Sequence, residues 1–230
     1  MKVTISEMKV DLVDHMGSDL TVVNAARVSF HKESEWDVFP AEDERMNKRM
    51  LKESDAKLIR YLAKHNHWTP FGHCFVQFRV KAPIFVARQL VKHQVGLVWN
   101  EESRRYIDSE PEFWFPKIWR KRPDGSLKQG SGGEMELQNS WKTQSENMAL
   151  GNLALYNHMI NSGVAPEQAR MVLPVNMMTE WYWSGSLAAW ARVCKLRLDP
   201  HAQAETQEVA KMINSHMGLL FPVSWAELTS

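Results

Sequence analysis

The densest group of chemically useful side chains lies at residues 100–106, which read NEESRRY. Arginine grips phosphate through a forked pair of N–H donors, and asparagine and serine supply directional hydrogen bonds. Tyr106 and the preceding Trp99 add flat faces that suit a planar ring. These residue types predict a cradle for a small anionic ligand. A solvated charged loop would have the same composition, so that interpretation stays open beside it.

Two arginines elsewhere stand between apolar residues, where a buried charge requires a partner. Arg170 lies in ARMVLP at 169–174, and Arg197 lies in KLRLDPHAQ at 195–203. A purely structural explanation for each arginine is an internal salt bridge, with Asp199 or Glu205 as the carboxylate. Together with the run at 100–106, the two arginines favour a shared anionic ligand.

Other kinds of catalytic site are poorly supported. The sequence has no phosphate loop, dinucleotide glycine fingerprint or metalloprotease motif. His65, His67, His73 and Cys74 are of zinc-binding types but lack the tight repeat spacing of a zinc site, so we expect no metal. Ser103 lacks the glycine elbow of an esterase nucleophile, and hydrogen bonding to a ligand suits it better.

The segment before the polar run is predicted to be a helix. Pro83 suits its first position, and Gln89 and His93 would lie on its polar face. Gly96 is expected to end or bend the helix, which places residues 100–106 in a loop.

Apolar periodicity predicts the remaining elements. Alternation indicates strands within residues 2–14, 73–81 and 176–183. Helices are predicted at 18–30, 41–64, 134–161, 166–173, 187–196 and 200–220. Ser18 is expected to cap the first of these, and Ser54 to cap the second half of 41–64 after a break. Long helices, few strands and no βαβ alternation predict an α+β fold with a mainly antiparallel sheet.

Composition indicates a globular protein with a real core. The chain has 230 residues, 44% of them hydrophobic, and a formal net charge of +1. We expect one catalytic domain over 1–230, in which the low-complexity segment 121–133 forms a mobile surface loop or lid. The near-neutral charge argues against nucleic acid as a partner. Because no apolar run suits a membrane span or a secretory leader, we expect a cytoplasmic location.

Two residue types add smaller clues. The two cysteines are too few for a disulfide framework, and their apolar surroundings are typical of buried thiols. The ten tryptophans favour a large core or a subunit interface as readily as a ring-binding site.

Several blocks of the sequence together resemble the flavin-dependent thymidylate synthases. They are AARVSF at 25–30, HWTPFGH at 67–73, KAPIFVARQ at 81–89, NEESRRY at 100–106, ARMVLP at 169–174 and LRLDPHAQ at 196–203. They stand in the family's order and approximate spacing and cover nearly the whole chain. The combination is specific, although any single block would be weak.

The resemblance implies a homotetramer with one FAD per site and active sites where subunits meet. It implies reductive methylation of deoxyuridine monophosphate (dUMP) at C5, a methyltransferase reaction that gives deoxythymidine monophosphate (dTMP). Methylenetetrahydrofolate would supply the carbon, and NADPH would reduce the FAD. An arginine in the position of Arg197 would be catalytic, because a fixed guanidinium favours the N3-ionised pyrimidine and makes C5 more nucleophilic.

The same match implies two sets of binding residues. The dUMP set is Gln89, Lys92, Glu101, Glu102, Ser103, Arg104, Arg105 and Arg170. The FAD set is His67, Thr69, Lys92, His93, Gln94, Glu101, Ser186, Arg192 and His201, with Ser29 as a weaker candidate. His67 is expected near the flavin ring and the folate.

The chain departs from the family pattern in its signature motif. Lys92-His93-Gln94 replaces Arg-His-Arg, and one more residue precedes Ser103 than the pattern has. Lysine lacks the arginine fork, and glutamine lacks the charge. We expect the extra residue to be absorbed by a bulge or loop between Gly96 and Asn100, and Arg192 to compensate for the charge missing at 94. Two alternatives stay open: a related enzyme acting on another pyrimidine nucleotide or transferring a hydroxymethyl group, and a nucleotide-binding homologue without catalysis.

Overall fold

The fold is built on one antiparallel sheet with helices packed against it. The computed structural model describes residues 2–40, 48–107, 109–123 and 130–230. The strands are β1 Thr4–Ile5, β2 Lys9–Met16, β3 Asp37–Phe39, β4 Lys48–Met50, β5 Phe75–Pro83, β6 Leu97–Glu101, β7 Glu112–Phe113 and β8 Met178–Ser186. The helices are α1 Asp19–Arg27, α2 Glu53–Lys64, α3 Ile84–Leu90, α4 Gln138–Asn161, α5 Pro166–Ala169, α6 Leu187–Arg197, α7 Ala204–Leu220 and α8 Pro222–Thr229. Short 3-10 helices lie at Val28–Phe30, Pro70–His73 and Arg170–Val172.

The main sheet has four strands in the order β2-β5-β8-β6, all antiparallel. The central pair β5 and β8 is in register from Phe75 opposite Ser186 to Pro83 opposite Met178. Alternate residues of β5 are buried, because successive side chains of a strand point to opposite faces. The expected α+β fold with a mainly antiparallel sheet is therefore confirmed.

The main core lies between this sheet and the helices α1, α2, α6, α7 and α8. Trp190 of α6 lies edge-on to Phe78, with ring centroids 5.0 Å apart, and to Trp183 at 4.8 Å. Its indole N–H donates to the Val76 carbonyl at 3.3 Å, which satisfies the polar end of a buried ring. Trp181 is also buried, so much of the tryptophan content serves the core. A smaller cluster, centred on Leu153 and Tyr156, packs beneath α4.

One helix prediction was wrong in its first half. Within 41–64, residues 41–47 lie outside the described part of the chain, and Lys48–Met50 is a strand paired with Asp37–Phe39. The helix α2 begins at Glu53, and the Lys52 carbonyl accepts from Asp55 N at 2.9 Å, so Ser54 lies inside the first turn and is not the cap. Ser18, by contrast, is the N-cap of α1 as predicted.

The prediction for residues 83–106 also needs correction. Pro83 ends β5 and precedes the helix, and α3 stops at Leu90, well before Gly96. The loop prediction for residues 100–106 was wrong for Asn100 and Glu101, which end the edge strand Leu97–Glu101, whereas residues 102–106 lie in no helix or strand. Within this strand, Trp99 stacks on Trp181 at a centroid distance of 4.2 Å. The polar residues misled the prediction because an edge strand leaves many of its side chains in solvent.

The segment expected to form a lid is described only at its ends. Residues 124–129 of the range 121–133 lie outside the described part of the chain. At the base of the segment, Lys121 N donates to the Gly133 carbonyl at 2.8 Å, and Gly132 N donates to the Lys121 carbonyl at 2.9 Å. No helix in the described residues is long and apolar enough to cross a membrane.

Candidate active site

A polar cleft of about 950 Å³ opens where the end of α6, the segment leading into α7, and α3 come together. Arg197 is the last residue of α6, where a cation is favoured by the partial negative charge of the helix end. Gln89 enters from the last turn of α3, and His201 from the connection between α6 and α7. Lys195 adds a second cation to the same wall. Asp199 and Glu205 also line the cleft, but Asp199 accepts from His201 and Glu205 pairs with Arg120, so Arg197 and Lys195 leave the cleft suited to an anionic ligand.

The hydrogen bond between Arg197 and His93 fixes the orientation of the arginine. Arg197 Nε donates to His93 Nε2 at 2.8 Å, which requires the imidazole to be neutral with its hydrogen on Nδ1. Burial lowers the pKa of His93, and the nearby charges of Arg197 and Arg192 lower that pKa further. Burial also lowers the pKa of Arg197, but a guanidinium keeps its charge in proteins. A permanent cation is therefore held at the cleft by a neutral acceptor.

The salt-bridge interpretation of Arg197 is not supported by these contacts. Asp199 accepts instead from His201, at 2.7 Å from the backbone N–H and 3.0 Å from Nδ1. Glu205 pairs with Arg120 and accepts from Gln203 Nε2 at 3.0 Å. Within the described ranges, no carboxylate lies within ion-pair distance of Arg197. Its charge remains available to a ligand.

A second cavity, of about 470 Å³, lies on the other side of α6. Three residues of the predicted FAD set line it: His67, Ser186 and Arg192. Trp68 and Phe71 supply aromatic walls, and Lys195 lines both this cavity and the polar cleft. Ser186 is also the N-cap of α6, where its Oγ accepts from Ala189 N at 3.3 Å.

The turn after α3 forms one edge of the second cavity. Arg192 Nη2 donates to the Val95 carbonyl at 2.6 Å, so its charge lies beside Gln94. Gly96 has φ +75°, and a Cβ there would lie 3.2 Å from Ala189 Cβ and 3.5 Å from Ser186 Oγ. Only glycine suits this backbone and this close approach. The following strand β6 pairs with β8 without a register shift from Leu97 to Glu101, so the bulge considered between Gly96 and Asn100 is not found in this strand.

The polar run at 101–106 lies away from both cavities of its own chain. Glu101 accepts from Thr179 Oγ1 at 2.7 Å and from Trp99 Nε1 at 3.1 Å. Arg105 Nε donates to Ser103 Oγ at 3.1 Å. These residues are ordered by β6 and its neighbour β8, but they do not meet Arg197 within one chain.

Two other arginines are also placed apart from the cleft. Arg104 is buried and donates to the Ser109 carbonyl. Arg170 is exposed, and its Nε donates to the Glu167 carbonyl at 3.3 Å. Among the described residues, Arg170 has no carboxylate partner, so its predicted internal salt bridge is not found either.

The single chain therefore brings together only part of the predicted site. Gln89, Arg197 and His201 share the polar cleft, with His93 bound to Arg197. His67, Ser186 and Arg192 share the second cavity. Apart from His93, which reaches Arg197, the predicted residues that line neither cavity are Ser29, Thr69, Lys92, Gln94, Glu101, Glu102, Ser103, Arg104, Arg105 and Arg170.

Sequence reasoning missed two residues that shape these cavities. Lys195 lines both, and Thr206 holds Gln89 through a hydrogen bond to its Oε1. Both lie on regular helices, where lysine and threonine carry no distinctive signal. Only the packing of α6 and α7 reveals them.

Among the residues considered for zinc, Cys74 has an ordinary structural role. Cys74 is fully buried, its thiol lies 3.5 Å from the Ser18 carbonyl, and burial raises its pKa to about 12. Such a thiol is inert. In the described ranges, no group of three or more histidine, cysteine, aspartate or glutamate residues is arranged to hold a metal ion.

Comparisons with known proteins add an independent finding. Residues 11–223 match the family model described as thymidylate synthase complementing protein. A flavin-dependent thymidylate synthase from Thermus thermophilus is 40% identical over 220 residues, covering 94% of this chain and 74% of that protein. One from Thermosipho africanus is 37% identical over 212 residues, covering 86% of this chain and 81% of that protein.

Solved structures show the same likeness. The UMP/dUMP methylase PolB from Streptomyces cacaoi, bound with 5-Br dUMP, aligns with a TM-score of 0.83 and 30% identity, covering 99% of this chain and 97% of that one. Its structure bound with 5-Br UMP aligns with a TM-score of 0.83 and 29% identity, covering 99% and 96%.

Proposed function

The chain belongs to the thymidylate synthase complementing protein family, and we propose that it is a flavin-dependent thymidylate synthase that methylates dUMP to dTMP. Family membership makes it an enzyme, a methyltransferase that uses a flavin. The observation that carries the reaction is Arg197, a cation at the polar cleft that is oriented by His93 and has no carboxylate partner in the described chain.

Arg197 is the proposed catalytic residue. A guanidinium fixed at the pyrimidine stabilises negative charge on N3 and the ring carbonyls and so raises the nucleophilicity of C5. His93 uses only Nε of the guanidinium, which leaves the two Nη groups to face the base. Because the orientation is set in advance, little reorganisation is needed as charge develops.

We propose that FAD occupies the second cavity and its surroundings. The cations Arg192 and Lys195 suit a diphosphate, and Trp68 and Phe71 suit a planar ring. Ser186 and His67 add hydrogen-bonding groups, and His201, Thr69, His93 and the turn at 92–94 complete the set. When bound and reduced by NADPH, the flavin supplies the hydride, while methylenetetrahydrofolate supplies the carbon and leaves as tetrahydrofolate.

Arg192 has a proposed role of its own in this chain. It replaces the charge that Gln94 lacks, because its guanidinium reaches the Val95 carbonyl next to that position. The variant signature motif is thereby compatible with an anionic cofactor.

We further propose that the active site is completed by neighbouring subunits of a homotetramer. The dUMP residues at 101–105 and Arg170 lie away from the cleft of their own chain. Large apolar side chains are exposed in three of the family-like sequence blocks: Phe30 is 74% exposed, Tyr106 76% and Met171 77%. Exposed apolar groups of this size are typical of interfaces. The cytoplasm is the proposed location, which the two buried free thiols support.

One specific observation favours a second candidate substrate. The similar protein PolB is described as a methylase of both UMP and dUMP, and one of its structures holds 5-Br UMP. Methylation of UMP is therefore the alternative reaction, with hydroxymethyl transfer as a further variant.

A product assay tests the proposal. Purified protein, reconstituted with FAD, is incubated with NADPH, methylenetetrahydrofolate and one of dUMP, UMP or deoxycytidine monophosphate (dCMP). The mass of the product is then measured by mass spectrometry. We expect a yellow protein, bleached by NADPH, that adds 14 mass units to dUMP by atom count. A colourless protein that takes up no FAD, or one that forms no dTMP, would contradict the proposal.

A further inference from the structure

Gln89 lines the polar cleft, and a hydrogen bond on the side away from the cleft orients its side-chain amide. Thr206 is the third residue of α7 and is fully buried. Its hydroxyl donates to Gln89 Oε1, so the amide oxygen is turned away from the cleft. This contact joins α3 to α7, which pack against each other.

The opposite side of the same amide faces the ligand space. Gln89 Nε2 forms no hydrogen bond within the described residues, and it is not among their buried unpaired polar atoms. Because Gln89 lines the cleft, its N–H groups point into that space as donors. A rotated amide would present the acceptor instead, but the buried Thr206 hydroxyl would then lose the only acceptor it has in the described chain.

Arg197, which lines the same cleft as Gln89, is also a donor. The guanidinium of Arg197 cannot accept a hydrogen bond, and its Nε is already used by His93. Gln89 and Arg197 together therefore offer donors and no acceptor. A uracil ring with N3 ionised presents acceptors at O2, N3 and O4. Cytosine also accepts at O2 and N3, but its 4-amino group is a donor, so the two rings differ at position 4.

We propose that Thr206 is a specificity-determining positioning residue, which fixes Gln89 so that the site prefers a 4-oxo pyrimidine nucleotide to a 4-amino one. This inference rests on the proposed function, because it takes the nucleotide to occupy the polar cleft. Thr206 does not touch the base; it acts through Gln89.

The test measures binding without turnover. The dissociation constants of dUMP and dCMP are determined by titration calorimetry on FAD-loaded protein without folate, for wild type and variants. We expect Thr206→Val to lower the preference for dUMP by about tenfold, the value of one hydrogen bond, while Thr206→Ser keeps it. Gln89→Glu should shift the ratio further toward dCMP, because a carboxylate is an acceptor.

A matched control is available in α8. Thr229 Oγ1 donates to the Trp225 carbonyl at 2.7 Å, away from both cavities, so Thr229→Val makes the same chemical change without affecting Gln89. It should leave the dUMP to dCMP ratio unchanged. If Thr206→Val does not fold, Thr206→Ser and Gln89→Glu carry the test.

The outcomes separate this inference from the proposed function. If the protein makes dTMP but Thr206→Val keeps the wild-type ratio, or Gln89→Glu does not move it, the inference is overturned and the function stands. If the protein neither binds dUMP nor forms dTMP, both fail.

Discussion

Replacing Arg197 by alanine should abolish most turnover while leaving the fold and the flavin in place. The side chain ends α6 at the surface of the cleft, and its one described hydrogen bond goes to a neutral histidine. Removing it creates no buried cavity and leaves no unpaired carboxylate. The cost should therefore appear mainly in catalysis, with only a small loss in the free energy of unfolding.

The expected size follows from the role of the guanidinium. Loss of one preorganised donor to a developing oxyanion costs about 100- to 1,000-fold in kcat, or roughly 3–4 kcal/mol. Arg197 supplies two Nη groups and a full charge, so we expect the upper end, about 1,000-fold. For the fold, loss of one hydrogen bond to His93 corresponds to about 1 kcal/mol of unfolding free energy.

His93 provides the internal comparison. His93→Ala keeps the cation but frees it to move, which should lower kcat roughly tenfold through mispositioning. If His93 acts through Arg197, its effect on kcat should vanish in the double variant, since both residues belong to one unit. Arg197→Lys keeps a charge but not the fork, and it should stay close to Arg197→Ala.

The assay is dTMP formation under saturating NADPH and methylenetetrahydrofolate, with flavin content read from the absorption spectrum and stability from urea unfolding. Near-normal turnover in Arg197→Ala would refute the assigned role. Additive effects of the two substitutions would refute the positioning role of His93 and leave Arg197 as catalytic.

Four further predictions concern the cofactor, the fold and the assembly. Arg192→Ala should weaken FAD binding by about tenfold in a fluorescence titration, through loss of a charged donor; unchanged affinity would show that it does not replace the missing motif charge. Asp19 is buried and accepts from two backbone N–H groups at the start of α8, at 2.8 and 2.9 Å. Asp19→Ala should therefore lower the free energy of unfolding in urea by about 1–2 kcal/mol, and a smaller loss would deny it that capping role. Burial and nearby cations lower the folded-state pKa of His93, so its stabilising effect is present above its unfolded-state pKa of about 6.5 and is lost as the pH falls. Between pH 6.5 and 5, the free energy of unfolding of wild type should therefore fall more steeply than that of His93→Gln. Equal slopes would contradict this. Finally, co-expressed Arg105→Ala and Arg197→Ala subunits, each inactive alone, should recover about a quarter of wild-type activity if every site takes these arginines from different subunits, and none if one chain supplies both.

The fold class and the regular elements could be predicted from the sequence more completely than the details of the site. Strand β5 could be predicted because Val76, Phe78 and Val80 alternate with polar residues, and α6 because its apolar residues follow helical spacing. The strand at residues 97–101 was not predicted because its pairing with β8 is a long-range contact. Local composition favoured a loop at Asn100 and Glu101.

The candidate site could likewise be predicted only in part from the sequence. Arg197 attracted notice as a charge between leucines, but only the fold shows that His93, far away in sequence, accepts from it. Thr206 had no signal at all, because its importance comes from the side chain that it holds. The residues at 101–106 were conspicuous in sequence, yet they line neither cavity of their own chain. In the proposed tetramer they would belong to the site of another subunit.

The helix α6 is a wall shared by two cavities, and this restricts how it can change. Ala188, Ala191 and Arg192 face the second cavity, Arg197 faces the polar cleft, and Lys195 borders both. Each residue advances an α-helix by about 100°. A single deletion within α6 would therefore turn everything beyond it by more than a quarter of a circle and misplace both linings at once. This helix can accept changes of residue type far more readily than changes of length.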